Sequence, residues 1–408
     1  MLDQSINEES LAFAISPTER YKYKTEFSAG DEVVISRCID FYNSDNDFPN
    51  LIKSVAKGKT AYQTNDVVSD ILIRRLNVSL KTINQVKQQD RNAIIKSVIA
   101  LLKEKHKYSL LRLDIKSFYE SIDRKYIISL LERDPAYSVS TLEILKRLDS
   151  CFESSMVSGV PRGLSISATL SEYLMRKFDK NIRNLSGVFF YARFVDDILI
   201  ISCHDPEDIS KLATKYLPDF LKFGDKKGKR NDISINHFNK HNAGQKGSFE
   251  YLGYKFTIID DKNSGRIVST DIADSKVNKI KTRTIKALLD YEIKKDFNLL
   301  KKRIRLMTSN FYLFNRYRST KVRSGIYYNY RYVSEINNQE SNLYNLDRFL
   351  CSILFCKSHS SAFSASGLSL TSNQKKELAK LSFVNGHRDK IFHRFTIKQM
   401  KKIKKCWR

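Results

Sequence analysis

The run Val188-Phe-Phe-Tyr-Ala-Arg-Phe-Val-Asp-Asp-Ile-Leu-Ile-Ile-Ser202 decides how the rest of this chain reads. Two apolar, β-rich segments flank Asp196-Asp197, which predicts a hairpin with two adjacent carboxylates at its tip. No glycine stands in the turn, although hairpin turns ordinarily use Asn-Gly or Gly-x to reach positive φ. Adjacent carboxylates repel unless a cation lies between them, and Mg²⁺ takes oxygen ligands of this kind while keeping waters and substrate phosphates. A solvated Asp-Asp turn between core strands is the plainer alternative on this segment alone.

A second segment weighs against that alternative. In Leu111-Arg-Leu-Asp-Ile-Lys-Ser-Phe-Tyr-Glu-Ser-Ile122 a short apolar strand ends in Asp114, an aromatic pair follows, and the pattern turns helical through Ile127, Ile128, Leu130 and Leu131. One carboxylate at a strand end and two at a hairpin are what two-metal phosphoryl transfer requires, one ion for the attacking hydroxyl and one for the leaving pyrophosphate. Between them lies Gly159-Val-Pro-Arg-Gly163, whose glycines permit close backbone approach to a ligand. An amphipathic helix opens at Ser165.

The order Asp114, Pro161-Arg162-Gly163, Asp196-Asp197 and Tyr251-Leu252-Gly253-Tyr254 resembles the A, B, C and E motifs of reverse transcriptases. The resemblance runs from about residue 60 to about 320, and four motifs in order are far more specific than any one of them. It implies an α+β right-hand polymerase of fingers, palm and thumb, with an antiparallel palm sheet and a basic helical C-terminal extension. Two Mg²⁺ ions, or Mn²⁺, would be held by Asp114, Asp196, Asp197 and the backbone carbonyl of Ile115. Tyr119, with Phe118 beside it, would lie beneath the sugar C2′ and exclude a 2′-hydroxyl, a core aromatic being the plainer alternative. Arg162, where many members have Gln, and Gly163 would adjoin the incoming nucleotide. Arg91 and then Lys87 are the candidates for the triphosphate, and Lys240 for protonating the leaving pyrophosphate, at a spacing one residue longer than usual. Leu252, Gly253 and Tyr254 would form the primer grip, a strand interrupted by glycine. Phe194 replaces the tyrosine common at the first position of motif C and keeps the ring.

Lysine and arginine total 71 against 45 acids, a net charge of +26 that exceeds what solubility needs and points to a polyanionic partner. With 41% hydrophobic residues over 408 positions, the chain is a folded protein of two or three domains. No apolar run approaches the roughly 20 residues of a spanning helix, and the N-terminus lacks the pattern of a signal peptide, so a cytoplasmic location is expected and no membrane partner. Six scattered cysteines without a C-x-x-C indicate neither a disulfide framework nor a zinc ribbon.

Five regions follow from the pattern and the resemblance. Residues 1–56 are an acidic leader, expected to pack on the basic body or on another subunit, or to remain a solvated extension. Residues 57–110 are helix-rich, basic fingers; 111–260 are the palm; 261–357 are a thumb built on a long basic helical stretch at 271–323. Residues 358–408 are a Ser-rich linker and a basic helical tail. The tail and Gly325-Ile-Tyr-Tyr-Asn-Tyr330 resemble the bacterial antiphage defence enzymes, with the smaller polymerase of the type 3, two-polymerase systems as the nearest fit. That resemblance implies a dedicated non-coding RNA template, an RNA/DNA duplex, dNTPs, and a second reverse transcriptase subunit or self-association as partners. The competing readings are a template-independent or protein-primed nucleotidyl transferase and a catalytically silent RNA-binding scaffold.

Overall fold

A computed structural model describes residues 3–407 except 45, 57, 87–88, 225–229, 316–319, 335–338 and 356–367. The chain divides into two compact units, the first formed chiefly by Met1–Ile94 and Lys107–Asn236, the second by Ile95–His106, His237–Asn315 and Ser319–Arg408.

The first unit opens with helices α1 (Glu8–Ala14), α2 (Pro17–Lys22) and α3 (Asp31–Asn43), so the acidic leader is folded. Leu11, Ala14, Val34 and Cys38 are buried in the unit's core. The basic residues of helix α4 (Val67–Ile83) hold the leader: Arg74 pairs with Glu19 at 2.8 Å, and Arg75 donates to the carbonyls of Asp3 and Ser5 at 2.9 and 3.1 Å. Before α4 the chain makes a hairpin of β1 (Ile52–Ala56) and β2 (Lys59–Gln63), where the sequence pattern had indicated mainly helix. Helix α5 (Arg91–Leu101) follows.

The centre of this unit is an antiparallel sheet of four strands, order β4-β5-β3-β6: β3 is Tyr108–Asp114, β4 Val188–Phe194, β5 Asp197–Ser202 and β6 Asn231–Ile235. All seven residues of β3 are buried, as an inner strand packed between neighbours must be. Connecting segments supply α6 (Phe118–Ser121), α7 (Arg124–Glu132), α8 (Val139–Ser154), α9 (Ser165–Arg183) and α10 (Pro206–Tyr216). Asp66, Asp123 and Ser138 cap α4, α7 and α8 through their side chains, satisfying helix N–H groups that have no partner within the helix. In α9 the buried Ile166, Leu170, Leu174, Phe178 and Ile182 recur at four-residue spacing, which seats one face of the helix in the core.

The second unit holds the three-stranded antiparallel sheet β7 (Gly244–Tyr251), β8 (Tyr254–Asp261) and β9 (Gly265–Ile272). Helices α11 (Asp274–Lys294) and α12 (Phe297–Thr308) come next, then a hairpin of β10 (Asn310–Asn315) and β11 (Thr320–Gly325). The expected basic helical stretch is therefore helical only as far as Thr308. Ile326–Asn329 forms a short helix, α13, and α14 (Asn342–Phe355) leads to the tail helices α15 (Ser372–Ala379), α16 (Phe383–Arg388) and α17 (Ile397–Lys404). The tail is part of this unit's interior: Leu378 and Ile403 are fully buried, Arg303 of α12 donates to the Ile403 carbonyl at 3.2 Å, and the Trp407 indole donates to the Arg283 carbonyl at 2.9 Å. Much of the Ser-rich stretch expected before it lies outside the described residues. Among the described residues no helix is long and apolar enough to cross a membrane.

Candidate active site

Strand register brings the three aspartates together. Asp114, the last residue of β3, pairs directly with Asp197, the first of β5, and the Ile115 amide donates to the Asp196 carbonyl at 3.0 Å. Because Phe194 pairs with Asp197, the two-residue turn is Val195-Asp196, and Asp197 belongs to the strand rather than to the tip expected from the sequence. Directly opposed residues of an antiparallel pair lie within about 4.5–5.5 Å at Cβ.

Val195 has φ +63°, the sign a type II′ turn needs at its first position, where glycine is usual. A β-branched residue there is strained, and the neighbouring contacts hold it in place. The Arg193 guanidinium donates to the Val195 carbonyl at 3.1 Å. The same group, 2% exposed, is held by Asp179 at 2.7 and 2.8 Å and by Glu172 at 2.7 and 3.2 Å, both on α9. A buried network on a packed helix thus fixes the backbone from which Asp196 projects.

Asp197 is also engaged. Arg112, two residues before Asp114 on β3, donates to both of its carboxylate oxygens at 2.9 and 3.0 Å. Burial raises the Asp197 carboxyl above the ordinary aspartate value; Arg112 opposes that shift, while Asp114 and Asp196 add to it. Among the described residues no three His, Cys, Asp or Glu side chains are grouped to hold a metal ion. Of the expected three carboxylates, that of Asp197 faces Arg112. Asp114 at the end of β3 and Asp196 in the β4–β5 turn are hard oxygen donors, of the kind that suits Mg²⁺ or Mn²⁺.

Past Ile115, whose own strand-like pairing is with Phe223, Ser117 turns the chain at φ +47° into α6. Phe118 is 1% exposed and packs in the core, which removes it from the expected nucleotide contact; Tyr119 is only partly buried, with its ring centroid 5.6 Å from that of Phe118. The Gly159–Gly163 loop is packed on the backbone of α6 and β2. A Cβ at Gly159 would overlap the Tyr119 carbonyl oxygen, and one at Gly163 the Tyr62 carbonyl oxygen, both at positive φ. These glycines admit the chain's own backbone where the sequence had indicated a ligand. Arg162 lies over the Tyr119 ring at 4.9 Å and pairs through both arms with Glu120.

Arg91 is the first residue of α5 and half-buried; Lys87 lies outside the described residues. Lys240 is exposed in the second unit. Leu252 and Gly253 form the turn between β7 and β8, at φ +46° and +85°, so the glycine closes a hairpin instead of interrupting a strand. Tyr254 is fully buried, its ring among Phe256, Tyr330 and Tyr332.

The family profile described as reverse transcriptase (RNA-dependent DNA polymerase) matches residues 63–256. Residues 63–256 are thus similar to a reverse transcriptase domain. That span contains the three aspartates, Tyr119, Arg162 and the β7–β8 turn. No curated protein matches the chain. Among solved structures it is similar to an apo telomerase from Candida tropicalis, truncated from its C-terminal domain, at 13% identity and TM-score 0.35, covering 51% of this chain and 53% of that one. Telomerase from Candida albicans, with a fragment of telomeric RNA, gives 11% identity and TM-score 0.35 over 92% of this chain and 65% of that one. The chain thus spans between half and two thirds of these telomerase chains.

Three residues of the matched span escaped the sequence reading: Arg112, Glu120 and Arg193. A signal was present for two of them. Arg112 and Arg193 stand inside apolar strands, and a buried arginine is almost always paired, so each pointed to an acid partner nearby.

Proposed function

We propose that this reverse transcriptase domain extends a primer by two-metal nucleotidyl transfer, with Asp114 and Asp196 as the metal-holding carboxylates. The observation that carries the reading is the placement of Asp114 at the end of β3 beside the strained turn that carries Asp196, where the Ile115 amide donates to the Asp196 carbonyl and Arg193 ties the turn down. Bound divalent ions would supply Lewis-acid charge to the attacking hydroxyl and the leaving pyrophosphate. Asp197 sits behind the pair, neutralised by Arg112, and sets the charge the pair feels. Tyr119 lies beneath the sugar and excludes a 2′-hydroxyl by bulk. Arg91 takes the triphosphate, Lys240 protonates pyrophosphate, the carbonyl of Ile115 adds an oxygen donor, and the Leu252-Gly253 turn meets the primer backbone.

The template we propose is a dedicated non-coding RNA, read in antiphage defence. A net charge of +26 supports an extended phosphate-binding surface, and the resemblance of the tail to defence enzymes supports the setting. Primer extension on supplied RNA with Asp114→Ala and Asp196→Ala tests the chemistry: wild-type rates in either variant would remove the active-site assignment. Sequencing the nucleic acid that copurifies from the native host tests the template; a discrete RNA is expected, and random RNA argues against dedication.

A further inference from the structure

We propose that Glu120 and Arg162 form a brace that fixes the Tyr119 ring, making them positioning residues for the choice between deoxyribose and ribose. The inference rests on the polymerase reading above, in which Tyr119 is the sugar-facing ring.

The ring is held from several directions. Arg162 covers it at 4.9 Å, a distance at which a guanidinium is attracted to an aromatic face. Glu120 holds that guanidinium through two bonds, Nε at 2.5 Å and Nη2 at 2.9 Å, a planar fork that sets its orientation as well as its position. The pair is partly open to solvent, with the side chains 22% and 39% exposed, so it stands at the wall of the site. Beneath it the backbones are joined: the Val160 amide donates to the Tyr119 carbonyl at 2.9 Å, the Ser158 hydroxyl donates to the Glu120 carbonyl at 3.1 Å, and Gly159 leaves no room for a side chain between them. The Arg162 carbonyl is in turn held by the Tyr62 amide of β2 at 2.6 Å. Tyr119 therefore cannot shift without disturbing either a two-armed ion pair or a loop locked to two neighbouring elements.

A steric gate discriminates only as sharply as its ring is fixed, because a methyl-sized displacement admits a hydroxyl. Glutamate next to the ring and arginine in the loop would thus account for each other. Arg162 is bound within the protein, in contrast with the nucleotide contact that its place in the loop implies.

The test compares kcat/KM for a dNTP and the matching rNTP in single-nucleotide addition by the full-length protein on a supplied primer–template. Glu120→Gln keeps the shape and removes the charge; the deoxy-to-ribo ratio is expected to fall about tenfold, a factor equivalent to about 1.4 kcal/mol. Arg162→Lys keeps the charge and loses the fork and the flat face, and is expected to lower the ratio similarly even if Glu120→Gln does not fold. The double variant is expected to be no worse than either single one, since both break the same brace. An unchanged ratio in either active variant overturns the inference while leaving the polymerase reading intact. So does a rise in KM shared equally by both sugars in Arg162→Lys, which would make Arg162 a phosphate contact. Absence of any incorporation by the wild type removes the polymerase reading, and the inference with it.

Discussion

Among the described residues two hairpins turn through an apolar residue at positive φ, and they are secured differently. In the β4–β5 turn, Val195 at +63° is followed by Asp196, and the buried Arg193 of β4, held by Asp179 and Glu172 of α9, donates to the carbonyl between them. In the β7–β8 turn, Leu252 at +46° is followed by Gly253 at +85°, the sign pattern of a type I′ turn that favours Asn-Gly. Glycine relieves half of the second turn; nothing of that kind relieves the first. Strain of about 1–3 kcal/mol persists only where the surroundings over-determine the backbone, and the first turn is where the surroundings include three acids and two arginines. The difference marks the β4–β5 turn as the one whose backbone is held from outside.

The largest expected effect separates the three acids. Asp114→Ala or Asp196→Ala should lower incorporation by at least about 10³-fold, the scale on which a metal ligand stabilises transition-state charge. Asp197→Asn, which can still accept a hydrogen bond from Arg112, should lose no more than about 10- to 150-fold, since a single charge-assisted hydrogen bond carries only about 1.5–3 kcal/mol. Equal losses at all three positions, read by the same primer-extension assay, would put Asp197 on the metal and break the distinction drawn here.

Next comes the network under the turn. Arg193→Met leaves Asp179 and Glu172 facing each other without their cation and should destabilise the protein by about 3–5 kcal/mol, measured by denaturant unfolding. A smaller and more telling effect is expected from swapping turn residues. Leu252→Asn should stabilise the second unit by about 1 kcal/mol, because asparagine tolerates the left-handed region. Val195→Gly should relieve a similar strain while loosening Asp196, so that melting temperature holds or rises as incorporation falls. A Val195→Gly enzyme as fast as wild type would mean that the strain serves nothing.

The smallest effect concerns the tail. Because α15 to α17 help fill the second unit's core, removing them would unfold what they pack on, and charge substitution is the cleaner probe. Replacing the exposed Lys398, Lys401 and Lys405 by Gln should leave the melting temperature in place and reduce the salt dependence of RNA binding, by a slope of up to about 0.9 per lost phosphate contact. An unchanged slope would make the tail structural only.

The sequence alone determined the strands of the central sheet and the resemblance to reverse transcriptases, because local information suffices for each. Short apolar runs rich in β-branched and aromatic residues mark β4 and β5 whatever they pair with. Helices α7 and α9 were legible for the same reason, from three- and four-residue apolar spacing and, for α9, its first residue. Tertiary structure decided which group each charge meets. Arg112 reaches Asp197 across 85 positions of sequence, Arg162 reaches Glu120 across 42, and Arg75 reaches Asp3 across 72; no pattern of period two or 3.6 encodes such distances. It also decided that the acidic leader is folded, that the tail is interior, and that Gly159 and Gly163 serve the chain's own backbone. A charge or a glycine is legible locally, but its partner is set only when the strands take their register.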